Sequence, residues 1–188
     1  MKESLFGRLA EAHPRLLAVK ADAATKEVFV WGLRVGFVTF STGGAKAGSP
    51  LYEALTQKMA GAIRSSISNC SQLSQKLVLD ALRSPDFYKD RQAKVEVMRA
   101  RAVRVKETLA QPKFAEAWTP YPFNSGYFMC VQLRKVSAEK LRRHMLEKYG
   151  VGTIAIGERD LRIAFSSLEV EQIPECFDLL LQGAKDLS

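Results

Sequence analysis

Cysteine is scarce: Cys70, Cys130 and Cys176 are the only three in 188 residues, and they lie far apart. That spacing excludes a disulfide framework and a Cys-x-x-Cys metal site, and it points to a reducing, cytoplasmic compartment. Histidine is scarcer still. His13 and His144 are isolated, with no partner at metal-ligand or triad spacing, so no metal is expected. No apolar run approaches the about 20 residues of a spanning helix, so no membrane partner is expected. The first residues, Met1-Lys2-Glu3-Ser4-Leu5-Phe6-Gly7, have neither a long apolar core nor a small-residue cleavage site, and no secretory signal is expected there. Glycine and proline, at 12 and 7, are at ordinary levels, which rules out collagen-like and linker classes. Neither an internal repeat nor a Gly-rich nucleotide phosphate loop is visible.

What is present is a chain able to bury a core. Its hydrophobic fraction is 47%, far too high for a disordered segment, and its length suits one domain or two small ones. The formal net charge is +8. The charges are spread along the chain, with one modest cluster from Lys89 to Lys106, and no basic tract alternates with aromatics. A solvated basic surface explains this better than a nucleic-acid footprint, so no nucleic-acid partner is expected.

The pattern along the chain is α/β. Residues 15–20 and 34–40 read as strands, the second rich in β-branched and aromatic side chains. Ser41 to Pro50 is a loop by its glycines, and Leu51–Ala62 and Asn69–Leu82 read as helices. Ser84-Pro85-Asp86 is a helix start with a capping hydroxyl and a proline at the first helical position. From it runs a long helix of about 25 residues, with an apolar stripe at Tyr88, Val95, Met98, Ala102, Val105 and Leu109. The last third reads as a compact unit: a strand over Tyr127–Leu133, a helix from Ser137 to Tyr149 stopped by Gly150, and strands near Gly152–Ile156 and Leu161–Phe165. A final helix is expected over about Glu171–Leu181, with Pro174 in its first turn.

One string carries chemistry. Lys26 follows the first strand, and Arg34 stands eight positions later inside Gly32-Leu33-Arg34-Val35-Gly36. A lysine between Thr25 and Glu27 would by itself read as a surface residue. The whole string resembles the active-site segment of the class I/II, fold type I, pyridoxal-phosphate-dependent aminotransferases. The resemblance implies that Lys26 forms the Schiff base with pyridoxal phosphate and that Arg34 binds its phosphate. The chemistry is sensible: an amine attacks an aldehyde, and a planar guanidinium gives a phosphate a fixed two-pronged partner. Many members carry a serine three positions before the lysine. Ala23 stands there, leaving Thr25 or another segment to supply that hydroxyl.

The resemblance continues. Ile63-Arg64-Ser65-Ser66-Ile67-Ser68-Asn69 is similar to the aspartate-type segment whose arginine reaches the neighbouring subunit's site and binds a distal substrate carboxylate. This assigns Arg64 by resemblance, although an arginine before a Ser-rich loop reads equally well as a surface residue. Asn124-Ser125-Gly126-Tyr127-Phe128 is similar to the start of a small-domain strand and reads first as packing. Asp160-Leu161-Arg162-Ile163-Ala164-Phe165-Ser166 resembles the late strand whose arginine pairs with the substrate α-carboxylate, here Arg162. An arginine in an otherwise apolar strand is costly to bury unless it meets an anion.

The resemblance covers the C-terminal half of the family's usual length. It implies a remnant of the large cofactor domain over 1–83, a connecting helix over 84–111 and a small domain over 112–188. It implies amino-group transfer between an amino acid and a 2-oxo acid, in a homodimer. An aspartate on the cofactor's pyridine nitrogen would lie in the absent half, so the chain alone is expected to be inactive. A lyase or decarboxylase of the same fold remains open, as does a basic, non-catalytic α/β module that binds an acidic partner.

Overall fold

The computed structural model describes residues 4–188. Met1 to Glu3, the start of the segment read as lacking a secretory signal, lie outside the described residues. The chain divides into two compact units, the first ending at Arg91 and the second spanning Gln92–Ser188.

The first unit opens with α1 (Leu5–Ala12), capped by Ser4, whose Oγ accepts from the Phe6 amide at 3.2 Å. Strands β1 (Ala18–Ala23) and β2 (Gly36–Ser41) pair antiparallel, in register from Ala18↔Ser41 to Ala23↔Gly36. A one-turn helix, α2 (Ala24–Glu27), and a 3-10 turn (Trp31–Leu33) lie on the connection between them. Two longer helices follow, α3 (Pro50–Ser66) and α4 (Gln72–Arg83). The α4 start is capped by Ser71, whose hydroxyl accepts from the Ser74 amide at 3.2 Å. Ala24, Val35 and Val78 form the small core of this unit, with Val28, Val30 and Leu33 packed against it. Many other apolar side chains here are exposed, among them Val19, Phe37, Val38, Leu73 and Leu77.

Helix α5 (Phe87–Leu109) begins in the first unit and runs into the second. Pro85 lies in the turn before it rather than at its first helical position. The expected stripe holds from Val95 onward, where Ala102 and Val105 are buried, but Tyr88 is 79% exposed. The second unit contains β3 (Trp118–Pro120), β4 (Met129–Leu133), α6 (Ala138–Tyr149), β5 (Ile154–Ile156), β6 (Asp160–Ile163) and α7 (Gln172–Asp186). The four strands form an antiparallel sheet in the order β3-β4-β6-β5. Period-two alternation turns Met129, Val131, Leu133, Leu161 and Ile163 into the core, beside Leu141 and Met145 of α6 and Ile173, Phe177 and Leu180 of α7. Phe114 stacks on Trp118 with ring centroids 5.3 Å apart, closing one end of this core.

Two local devices set α6 and α7. Gly150 ends α6 at φ +66°, and both Gly150 and Val151 return their amides to the Met145 carbonyl. Gly183, inside α7, leaves no room for a side chain. A Cβ there would overlap Met145 Sδ and come within 3.3 Å of Leu141 Cδ1. The Asp186 carboxylate then draws α7 onto α6, accepting from His144, Lys148 and Tyr149 at 2.7–2.8 Å.

Candidate active site

Lys26 and Arg34 share the connection between β1 and β2. The last pair of that hairpin is Ala23↔Gly36, and just beyond it the Ala24 amide donates to the Val35 carbonyl at 3.1 Å. This bond closes the base of the connection. Lys26 stands two residues inside the base on one side, and Arg34 one residue inside on the other. The fold of the first unit therefore brings an amine and a guanidinium, eight residues apart in sequence, to one end of a two-stranded ribbon.

The glycine motif around Arg34 divides into two explanations. Gly36 suits a close approach, since a Cβ there would lie 3.1 Å from the Asp22 carbonyl oxygen and the backbone would have to shift by a few tenths of an ångström to admit it. Gly32 has no neighbour within 4 Å of such a Cβ, so nothing in the described fold demands glycine there. Between them, Arg34 caps the 3-10 turn in the left-handed region, at φ +54° and ψ +41°. A residue with a side chain is strained there, by about 1–2 kcal/mol. Its Nη1 donates to the Trp31 carbonyl at 3.3 Å, a bond within its own turn, and no carboxylate pairs with it among the described residues. The nearby acid Asp22 is engaged by Lys20 at 2.8 Å, and this contact raises the Lys20 pKa above its ordinary value. Ala23 ends β1 without a hydroxyl, and Thr25, half-buried on α2, carries the hydroxyl of this stretch.

Arg64 lies in the last turn of α3. Its Nη1 donates to Ser68 Oγ at 2.6 Å, and Ser68 is itself left-handed at φ +66°. The side chain is exposed, and this contact stays within the turn that follows its own helix.

Arg162 lies on β6, a central strand of the sheet in the second unit. Its neighbours Leu161 and Ile163 are 1% and 3% exposed and face the core, so Arg162 stands on the opposite face. It is half-buried there, in register with Cys130 of β4 and Ile154 of β5. Its guanidinium carbon lies 4.8 Å from the centroid of the Phe128 ring. Among the described residues no carboxylate pairs with it. Burial pushes the Cys130 thiol pKa up, and the Arg162 guanidinium partly opposes that rise. On the same face, Tyr121 Oη donates to Asp160 Oδ1 at 3.0 Å, and Gln132 Nε2 donates to Tyr121 Oη at 3.2 Å. That contact with Asp160 raises the Tyr121 pKa above its ordinary value.

Sequence reasoning took Phe128 as a packing residue and passed over Tyr121, Gln132 and Asp160 as parts of this face. The signal was available in part: Asp160 and Arg162 alternate on one strand with two apolar core residues. Tyr121 and Gln132 join them through cross-strand register, which no spacing in the sequence displays.

The donor set fits pyridoxal phosphate in kind. Lys26 offers a primary amine to an aldehyde, and Arg34 offers a guanidinium with no competing carboxylate to a phosphate. In the second unit, taken by itself, Arg162 offers a half-buried guanidinium to a carboxylate.

Comparison with known proteins gives the family and the fold. A family model described as aminotransferase class I and II matches residues 10–180. No curated protein sequence matches the chain. Among solved structures, an α-aminoadipate aminotransferase from Thermus thermophilus, complexed with N-(5'-phosphopyridoxyl)-L-leucine, is similar at 26% identity and a TM-score of 0.74. The match covers 97% of this chain and 45% of that one. An aminotransferase from Anaerococcus prevotii is similar at 22% identity and a TM-score of 0.68, over 92% of this chain and 40% of that one. The aspartate aminotransferase from Rhizobium meliloti shares the fold at 18% identity and a TM-score of 0.61, over 90% of this chain and 42% of that one. The chain thus spans less than half the length of the solved structures it matches.

Proposed function

The chain belongs to the class I and II aminotransferases, and from that premise we propose that it forms part of a pyridoxal-phosphate-dependent site that moves an amino group between an amino acid and a 2-oxo acid. One observation carries the reading: Lys26 and Arg34 lie on opposite arms of one hairpin connection, each within two residues of its closed base, with Arg34 held in a strained backbone and unpaired with any described carboxylate. Strain kept at such a position fits a binding role better than a packing one.

Pyridoxal phosphate, when bound, supplies the electron sink that stabilises negative charge at the substrate Cα. This chain's residues would take the following roles. Lys26 would hold the cofactor's aldehyde end through its Nζ, and the same amine, once displaced by the substrate's amino group, would take and return the proton at the substrate Cα. Arg34 would bind the phosphate. Arg162 binds the substrate α-carboxylate with two parallel donors, with the Phe128 ring beneath its guanidinium. Arg64, at the exposed end of α3, serves a side-chain carboxylate across a homodimer interface. In this reading residues 1–83 belong to a cofactor domain, 84–111 to a connecting helix and 112–188 to a substrate-side domain.

Because the relatives are more than twice as long, the chain alone lacks much of the cofactor's surroundings. Each missing charge-assisted hydrogen bond is worth about 1.5–3 kcal/mol, so the chain should bind pyridoxal phosphate weakly and turn nothing over. An absorbance titration with pyridoxal phosphate tests this. Weak, saturable binding that disappears in Lys26→Ala and weakens in Arg34→Ala is the expected result. Binding that both variants leave intact contradicts the assignment.

A further inference from the structure

Arg162 and Asp160 are alternate residues of β6, so both side chains leave the same face of the sheet. An arginine two positions from an aspartate on one strand face has an ion-pair partner within easy reach. The two are not paired here. The guanidinium lies over the Phe128 ring, and the Asp160 carboxylate accepts the Tyr121 hydroxyl at 3.0 Å. Tyr121 is in turn fixed at two points. Its amide donates to the Cys130 carbonyl at 3.0 Å, and its hydroxyl accepts from Gln132, the cross-strand partner of Asp160. Cys130 itself faces Arg162 across the register, so the tyrosine is built into the strand pair that carries the arginine.

We propose that Tyr121 is a positioning residue: by holding the Asp160 carboxylate, it keeps the Arg162 guanidinium free for the carboxylate of an incoming ligand. The inference rests on the reading of Arg162 as the α-carboxylate site, and it adds a reason why a half-buried arginine beside an acid stays available. Without the tyrosine hydroxyl, Asp160 turns to Arg162 and competes with the ligand from inside the protein. Gln132 supports the arrangement by orienting the hydroxyl toward Asp160. Phe128 supports it from the other side, by offering the guanidinium a surface that is not an anion.

The test uses the chain itself, with three variants: Tyr121→Phe, Asp160→Asn and the two together. Tyr121 is 41% exposed and the phenylalanine keeps its ring, so the fold should persist. The first readout is the rate at which phenylglyoxal modifies Arg162 in the absence of ligand, followed by peptide mass mapping. Tyr121→Phe should slow that rate about two- to fivefold, the range of a partly exposed ion pair. Asp160→Asn in the same chain should restore it, a rescue that a general loss of structure would not give. The second readout is a titration of the Arg162 Nε–H resonance with 2-oxoglutarate. The wild-type chain should respond saturably, Tyr121→Phe more weakly by the same factor, and the double variant like the wild type. An unchanged phenylglyoxal rate in Tyr121→Phe overturns the proposal, as does a slowed rate that Asp160→Asn does not restore. A wild-type chain whose Arg162 ignores 2-oxoglutarate removes the carboxylate reading itself, whatever phenylglyoxal shows.

Discussion

Replacing Arg34 by glycine and by alanine separates its backbone from its side chain. At φ +54° and ψ +41° the position is left-handed. A side chain costs about 1–2 kcal/mol there, whereas glycine adopts the region freely. Glycine also loses more freedom on folding, which returns about 0.4–1 kcal/mol in alanine's favour. The balance leaves Arg34→Gly more stable locally than Arg34→Ala by roughly 0.5–1 kcal/mol, the reverse of the order found in helices and strands. The amide of Ala24 is the natural reporter, because its bond to the Val35 carbonyl closes the connection that Arg34 ends. Hydrogen exchange at that amide should be about two- to fivefold slower in the glycine variant than in the alanine variant. Both variants remove the guanidinium, so both should weaken pyridoxal phosphate binding by about tenfold or more. Arg34 would then be a residue whose side chain is kept for binding at the expense of local stability. Alanine equal to or better than glycine would refute the backbone argument. Unchanged cofactor affinity in both variants would refute the phosphate assignment.

Other outcomes follow from the second unit. Gly183→Ala should destabilise it, because the overlap with the fully buried Met145 and Leu141 costs about 1–3 kcal/mol against a propensity gain of about 1 kcal/mol. Urea unfolding should show the loss, and Met145→Ala should cost less in the Gly183→Ala chain than alone. The Asp186 carboxyl is held well below the usual carboxylate range, first by Lys148 and then by His144, Gln182 and Tyr149. A carboxyl depressed on folding contributes stability above its unfolded pKa, about 3.9, and loses it as the pH falls toward its folded value. Thermal stability should therefore fall below about pH 4, and Asp186→Asn should flatten that dependence while lowering stability at neutral pH.

Much of the second unit was legible because its signals are local. Ser137 and Gly150 bound α6 as read, and the alternation of Leu161, Arg162 and Ile163 announced a half-buried strand. The misses have physical causes. β1 begins at Ala18 rather than at residue 15, because Pro14 and Arg15 form a turn in which the Leu16 amide returns to the His13 carbonyl. β3 was hidden by Pro120, which reads as a breaker and is accommodated here on an edge strand. α7 continues past Leu181 to Asp186, since Gly183 does not stop the helix but admits α6 against it. At the candidate site, Lys26 and Arg34 were legible by spacing, whereas the left-handed backbone of Arg34 and the Tyr121–Asp160 contact depend on tertiary geometry.

The central claim is that Lys26 is the residue that holds the cofactor. The direct measurement is to incubate the chain with pyridoxal phosphate, reduce with borohydride and map the modified lysine by peptide mass spectrometry. The account predicts the cofactor mass on the peptide containing Lys26, lost in Lys26→Ala and diminished in Arg34→Ala. Modification spread over the exposed lysines, or settled on a different one, with Lys26→Ala labelled as well as the wild type, would contradict it.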